Sequence, residues 1–210
     1  MTFPNHETMF GTAVVEAVRW WLAFDGPRLK MVSGNANTLS RDDVRAIALT
    51  YNFPRNLPSY DSGVDVVCEH VNTFSGRVFR SFSERASELV ASIQSIQEQL
   101  ASPERKKNFR IVSGMTKLTW FVAPDNWTPF DRLAAKAVRA RSADTLDRMV
   151  EFYRKLDESG FAESSEIITN CAQGTPFQGM SGERILDKYL MGSGEPELTA
   201  SMLQENSAFE

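Results

Sequence analysis

The chain has 210 residues, 42% hydrophobic and 24% charged, with a formal net charge of −4, which suits a folded protein with its own core and excludes a disordered or strongly polyanion-seeking chain. Its two cysteines, Cys68 and Cys171, and two histidines, His6 and His70, are too few and too scattered for a disulfide framework or a zinc site, so no metal and no cofactor is expected. No apolar run approaches the ~18 residues of a membrane span, and Glu7, Glu16 and Arg19 interrupt the N-terminal apolar stretch, so the expected compartment is the cytoplasm.

In chain order the elements read as helices, because apolar residues recur every three to four positions and no alternating strand pattern bounded by hairpin turns is found. Thr8 to Phe24 places Phe10, Val14, Val18 and Trp21 on one stripe. Ser40 and Asp43 look like a capping signal for a helix burying Val44, Ile47 and Ala48. The segment from Phe53 to Pro58 breaks the helix with two prolines, and Val64 to Phe74 resumes it. Phe79, Phe82, Ala86, Leu89, Ile93, Ile96 and Leu100 then alternate spacings of three and four, a narrow apolar seam on one long helix. That seam is either a self-association surface or, as so short a heptad run favours, a central helix packed inside its own domain. Further helices follow over Leu146 to Leu156, stopped near Gly160, then over Ser164 to Ala172 and Glu183 to Leu190. The expected architecture is all-α, with residues 1–190 forming one domain or two helical lobes that share a core. Residues 191–210, with four Glu and no Lys or Arg, form a loosely ordered acidic tail.

Charge is unevenly placed. Residues 103–155 hold 12 basic and 6 acidic residues, net +6, against −10 for the remainder. A basic segment in an acidic protein can focus a local positive face. Within it lies RKKNFRIVSGMTKLTWFVAPDNWTPFDRLAAKAVRAR, from Arg105 to Arg141. Arg105, Lys106, Lys107 and Arg110 form a basic cluster. Ser113-Gly114-Met115-Thr116 is a tight-turn candidate ahead of an apolar helix carrying Lys117, Trp120 and Phe121. Thr128, Pro129 and Asp131 suit the N-cap, first and third positions of another helix. Lys117 beside aromatic residues, and Asp131 in a first helical turn, are chemically unusual. Ordinary roles for them are a lysine that snorkels to water and a capping aspartate.

Met115-Thr-Lys-Leu118, followed by Pro124, Trp127, Pro129 and Phe130-Asp131-Arg132, resembles the helix–hairpin–helix DNA glycosylase superfamily in its 8-oxoguanine glycosylase branch. It is similar in particular to compact bacterial glycosylase-like proteins, some thought to serve in phage defence. The family hairpin usually carries two glycines, whereas here Gly114 stands alone, and the Lys–Asp interval is shorter than in better-known members. The resemblance implies a helical fold with a central cleft and a helix–hairpin–helix element near 105–141. It makes Lys117 the Schiff-base lysine and Asp131 the aspartate that stabilises the developing cation. It also implies that Phe121 or Trp120 stacks on a flipped base. Arg105, Lys106, Lys107, Arg110, Gly114, Arg139 and Arg141 would then contact DNA. The function it implies is excision of a modified base with β-elimination at the abasic site, by a monomer. The alternatives are a non-catalytic nucleic-acid binder on the same scaffold and a protein-interaction module that uses residues 79–100.

Overall fold

The computed structural model describes residues 7–101, 111–175 and 177–194, and among these it is all-helical with no strand. The basic cluster Arg105, Lys106, Lys107 and Arg110, and the tail beyond Gly194, lie outside the described residues. The chain divides into two compact units, unit 1 being Met1–Gly26 with Phe130–Glu210, and unit 2 being Pro27–Pro129.

Unit 2 contains α2 (Gly26–Gly34, starting at the boundary), α3 (Arg41–Thr50), a 3-10 turn (Pro54–Asn56), α4 (Asp61–Asn72), α5 (Phe82–Gln99) and α6 (Val112–Val122). The capping box expected before α3 is present: the Ser40 hydroxyl accepts the Asp43 N–H, and the Asp43 carboxylate accepts the Ser40 N–H. Val44, Ile47 and Ala48 are buried below it. On α5, Phe82, Ala86, Leu89, Ile93 and Ile96 are all buried, in a helix that packs on α4 and α6. The phenylalanine, leucine and isoleucine side chains each contribute about 1.5–3 kcal/mol on burial, so the seam belongs to the core of unit 2 and is not an exposed coiled-coil face. Asn72 ties α4 to the loop before α3, its amide bracketing the N–H and C=O of Leu39 at 2.8 and 3.0 Å.

Unit 1 contains α1 (Glu7–Trp20), a π turn (Trp21–Asp25), α7 (Arg132–Ala137), α8 (Thr145–Glu158), α9 (Phe161–Ala172) and α10 (Gly182–Gly194). Helix α10 is its axis, packing on α1, α7 and α9, and it runs past Leu190 into the first residues expected to be tail. The stripe expected on α1 is displaced. Ala13 and Ala17 are buried, Val14, Val18 and Trp21 are only partly so, and Phe10 is exposed. Small side chains four residues apart let α10 lie close, which pushes the larger ones to the rim. Gly194 makes a comparable close approach, since a Cβ there would meet the Leu133 carbonyl oxygen at 2.1 Å. Any side chain at 194 would therefore push α7 away.

A buried ion triad crosses unit 1. Arg184 donates from Nε to Asp25 at 2.7 Å and from Nη1 to Asp187 at 2.6 Å, with all three side chains nearly inaccessible. One turn along α10, the Lys188 ammonium lies 4.6 Å from the Trp20 ring centroid. Burial pushes its amine down to about 8, Arg184 acts in the same direction, and Asp187, Asp25 and Glu16 oppose. Because the folded state holds this proton less tightly than the unfolded state, stability rises as pH climbs from about 8 towards the ordinary 10.5, and the full cost is present below 8. Lys188→Met is therefore expected to raise Tm at pH 7 by about 3 °C, a gain that vanishes near pH 10. Calorimetry at the two pH values checks this, and an equal shift at both would contradict it.

Candidate functional site around Lys117

Helix α6 is apolar on nearly every side, and a helix of that kind is buried rather than amphipathic. Of its eleven residues only Ser113 and Lys117 are not buried. They stand four apart and so share one face. That face meets the connection between α3 and α4, where the Lys117 ammonium lies 5.9 Å from the ring centroids of both Tyr51 and Phe53. The result is a half-buried lysine whose amine lies near two aromatic rings, in the middle of a helix rather than at its start.

Residues 113–116 do not form a turn, because they are part of α6. Gly114 is buried, and a Cβ at that position would sit 3.0 Å from two carbons of the Phe53 ring, so this glycine seats Phe53 beside Lys117 and is not a hairpin turn. Gly114→Ala should displace Phe53 and cost about 1–2 kcal/mol, read as a lower urea midpoint with an unchanged slope.

Trp120 and Phe121 do not offer stacking faces, since each is 2% exposed. They pack edge to face on each other with centroids 4.9 Å apart, and Phe121 takes the edge of Tyr51 at 6.0 Å. Tyr51, half-buried beside the amine, is the aromatic that can meet a ligand. Sequence reading missed it, because its proximity to Lys117 is a contact between residues 66 positions apart and leaves no local pattern.

The helix carrying Lys117 is held from below by Arg85, which is 1% exposed. Its guanidinium donates to the carbonyls of Thr119 at 2.8 Å and Ala123 at 2.7 Å, which lie at the negative end of α6. It also stacks on Trp127, 4.3 Å from the ring centroid. Trp127 in turn lies on Phe82 and donates its indole N–H to the Thr116 carbonyl at 3.2 Å.

Asp131 belongs to unit 1 and opens α7, but as its N-cap and not its third residue. It has extended backbone angles, and its carboxylate accepts the Leu133 N–H at 2.8 Å. The expected N-cap, Thr128, is instead buried three residues earlier. Aspartate is at least as good a cap as threonine, and the helix starts at the later of the two. Arg139 and Arg141 are exposed and line one groove of unit 1 with Arg132, Lys136 and Arg148.

Among the described residues no cluster of three His, Cys, Asp or Glu could hold a metal ion, and no helix is long and apolar enough to cross a membrane. Comparison with known proteins found no matching family model, no matching curated protein and no matching solved structure.

Proposed function

We propose that the protein acts on DNA as a lysine-dependent glycosylase that excises a modified base. The observation that carries this reading is the half-buried Lys117, whose amine lies close to Tyr51 and Phe53 on a helix that is buried on nearly every side. An unprotonated amine in such a place can attack C1′ of an extruded nucleotide. The C1′–N bond breaks, the base departs with the bonding pair and takes up a proton, and loss of the amine proton followed by ring opening leaves an imine. Removal of a C2′ proton then expels the 3′ phosphate by β-elimination. Tyr51 is the residue placed to stack on the extruded base, and such stacking contributes about 1–3 kcal/mol. The resemblance gives Asp131 the part of the negative charge that stabilises the cationic sugar.

The test is release of free base from oligonucleotides carrying oxidised, alkylated or hypermodified bases, in single- and double-stranded form. Time-dependent release from one class supports the reading, and no release from any of them overturns it. A second reading, binding of nucleic acid without chemistry, is favoured by the groove that Arg132, Lys136, Arg139, Arg141 and Arg148 line in unit 1 and predicts binding with no product.

A further inference from the structure

We propose that the groove formed by Arg132, Lys136, Arg139, Arg141 and Arg148 in unit 1 holds the phosphodiester backbone of a DNA strand without reading its bases. The inference rests on the reading above that DNA is the substrate, and it says where and how the strand is gripped. The groove encloses about 620 Å³, and among the described residues its other lining is Leu133 and Ala140. Five cations with no carboxylate among them, in a chain of net charge −4, make a local positive channel whose attraction to phosphates comes largely from displaced counterions. Four of the five are arginines, whose planar fork suits phosphate oxygens. Among the described residues no aromatic side chain lines the groove, so it offers bases nothing to stack on and recognition stops at the backbone. An acidic peptide would need apolar pockets to anchor its side chains, and one leucine and one alanine do not provide them.

The rim is built before any ligand arrives. Helix α7 ends in a Schellman turn, with the Ala140 N–H donating to the Ala135 carbonyl at 2.9 Å and Arg139 in the left-handed region at φ 60°. Glycine is the usual occupant of that position, and an arginine there is strained by about 1 kcal/mol. Three side chains of α8 hold the backbone that follows. Lys155 donates to the Arg139 carbonyl at 2.5 Å, and Arg148 donates to the carbonyls of Ser142 and Ala143 at 2.7 and 3.1 Å. The Glu151 carboxylate accepts the N–H groups of Arg141 and Ser142 at 2.8 and 3.0 Å, and these bonds, with that from the Ser142 hydroxyl, push it down to about 2. Three acids of this region are committed to backbone: Glu151 to this loop, Asp131 and Asp144 to the caps of α7 and α8. The side chains of Arg139 and Arg141 carry none of these bonds, so they can be replaced without dismantling the loop.

The experiment is fluorescence polarisation of unmodified, fluorescein-labelled DNA on the full-length protein across about 50 to 300 mM NaCl. Single and double strands of differing sequence are compared, with polyglutamate as a competitor. The double variant Arg139→Glu/Arg141→Glu should bind at least about tenfold more weakly, with a salt slope smaller by about 2. Lys136→Glu, an exposed change on α7, should weaken binding in the same direction. Lys117→Gln should bind as the parent does, and affinity should not follow sequence. Unchanged affinity and slope in both charge-reversal variants would overturn the proposal, as would polyglutamate competing as well as DNA. Base release by the same variants separates the two claims. Release by the parent with unaltered binding in the variants sinks the groove and spares the enzyme, whereas weakened binding with no release by any protein does the reverse.

Discussion

Lys117→Gln is expected to abolish base release, lowering the rate by at least about 10³-fold, while the protein remains folded. An amide nitrogen cannot form the imine, so the covalent route is closed and not merely slowed. The side chain is only half-buried and glutamine keeps its first two methylenes, so stability should change by no more than about 1 kcal/mol. Two companions separate chemistry from scaffold. Asp131→Asn keeps the bond to the Leu133 N–H, because asparagine caps helices about as well as aspartate. It removes the charge and should cut the rate without lowering Tm. Tyr51→Ala should weaken turnover about tenfold or more through lost stacking. Steady-state rates and thermal melts of the same preparations check all three. A Lys117→Gln protein that releases base at the parental rate would remove the amine from the mechanism.

Arg85→Ala is expected to destabilise unit 2 by about 3–5 kcal/mol. The substitution deletes two charge-assisted hydrogen bonds, each worth about 1.5–3 kcal/mol. It also removes a stacked cation from Trp127 and leaves a cavity where a fully buried side chain stood. The Ala123 carbonyl loses its guanidinium, while the Thr119 carbonyl keeps the N–H of Ala123 at 3.0 Å. Damage should therefore begin at the C-terminal turn of α6. Hydrogen exchange should rise first at Thr119 to Ala123 and spread to the turn bearing Lys117. Arg85→Lys should recover only part of the loss, because one ammonium cannot reproduce the planar fork across two carbonyls. Parental exchange rates along α6 in Arg85→Ala would show that the guanidinium is not what holds the helix.

Local features were legible in the sequence, and contacts between distant segments were not. The box at Ser40 and Asp43 could be read because both its bonds close within three residues. The seam from Phe82 to Ile96 could be read because its spacing is that of one helix face. Gly114 was read as a turn because glycine next to serine commonly marks one. Its missing side chain instead makes room for Phe53, 61 positions away. The resemblance offers Trp120 and Phe121 as candidates to stack on a base, but the run around them is apolar on every side, a pattern that signals burial. The groove was half visible. Arg132, Lys136 and Arg139 follow helical spacing, but Arg148 joins them only because the α7–α8 connection folds back, held by Glu151 and Lys155. Local sequence could not tell which of Thr128 and Asp131 would start α7, because both residue types cap helices well.

Borohydride trapping decides whether the Lys117 amine forms a covalent bond with DNA. The protein is incubated with an oligonucleotide from which it releases base, reduced with borohydride, digested, and mapped by mass spectrometry. The account predicts a cross-linked peptide with the reduced sugar on Lys117, and none from Lys117→Gln. A parent protein that releases base yet gives no adduct, or an adduct on another lysine such as Lys136 or Lys188, would contradict it.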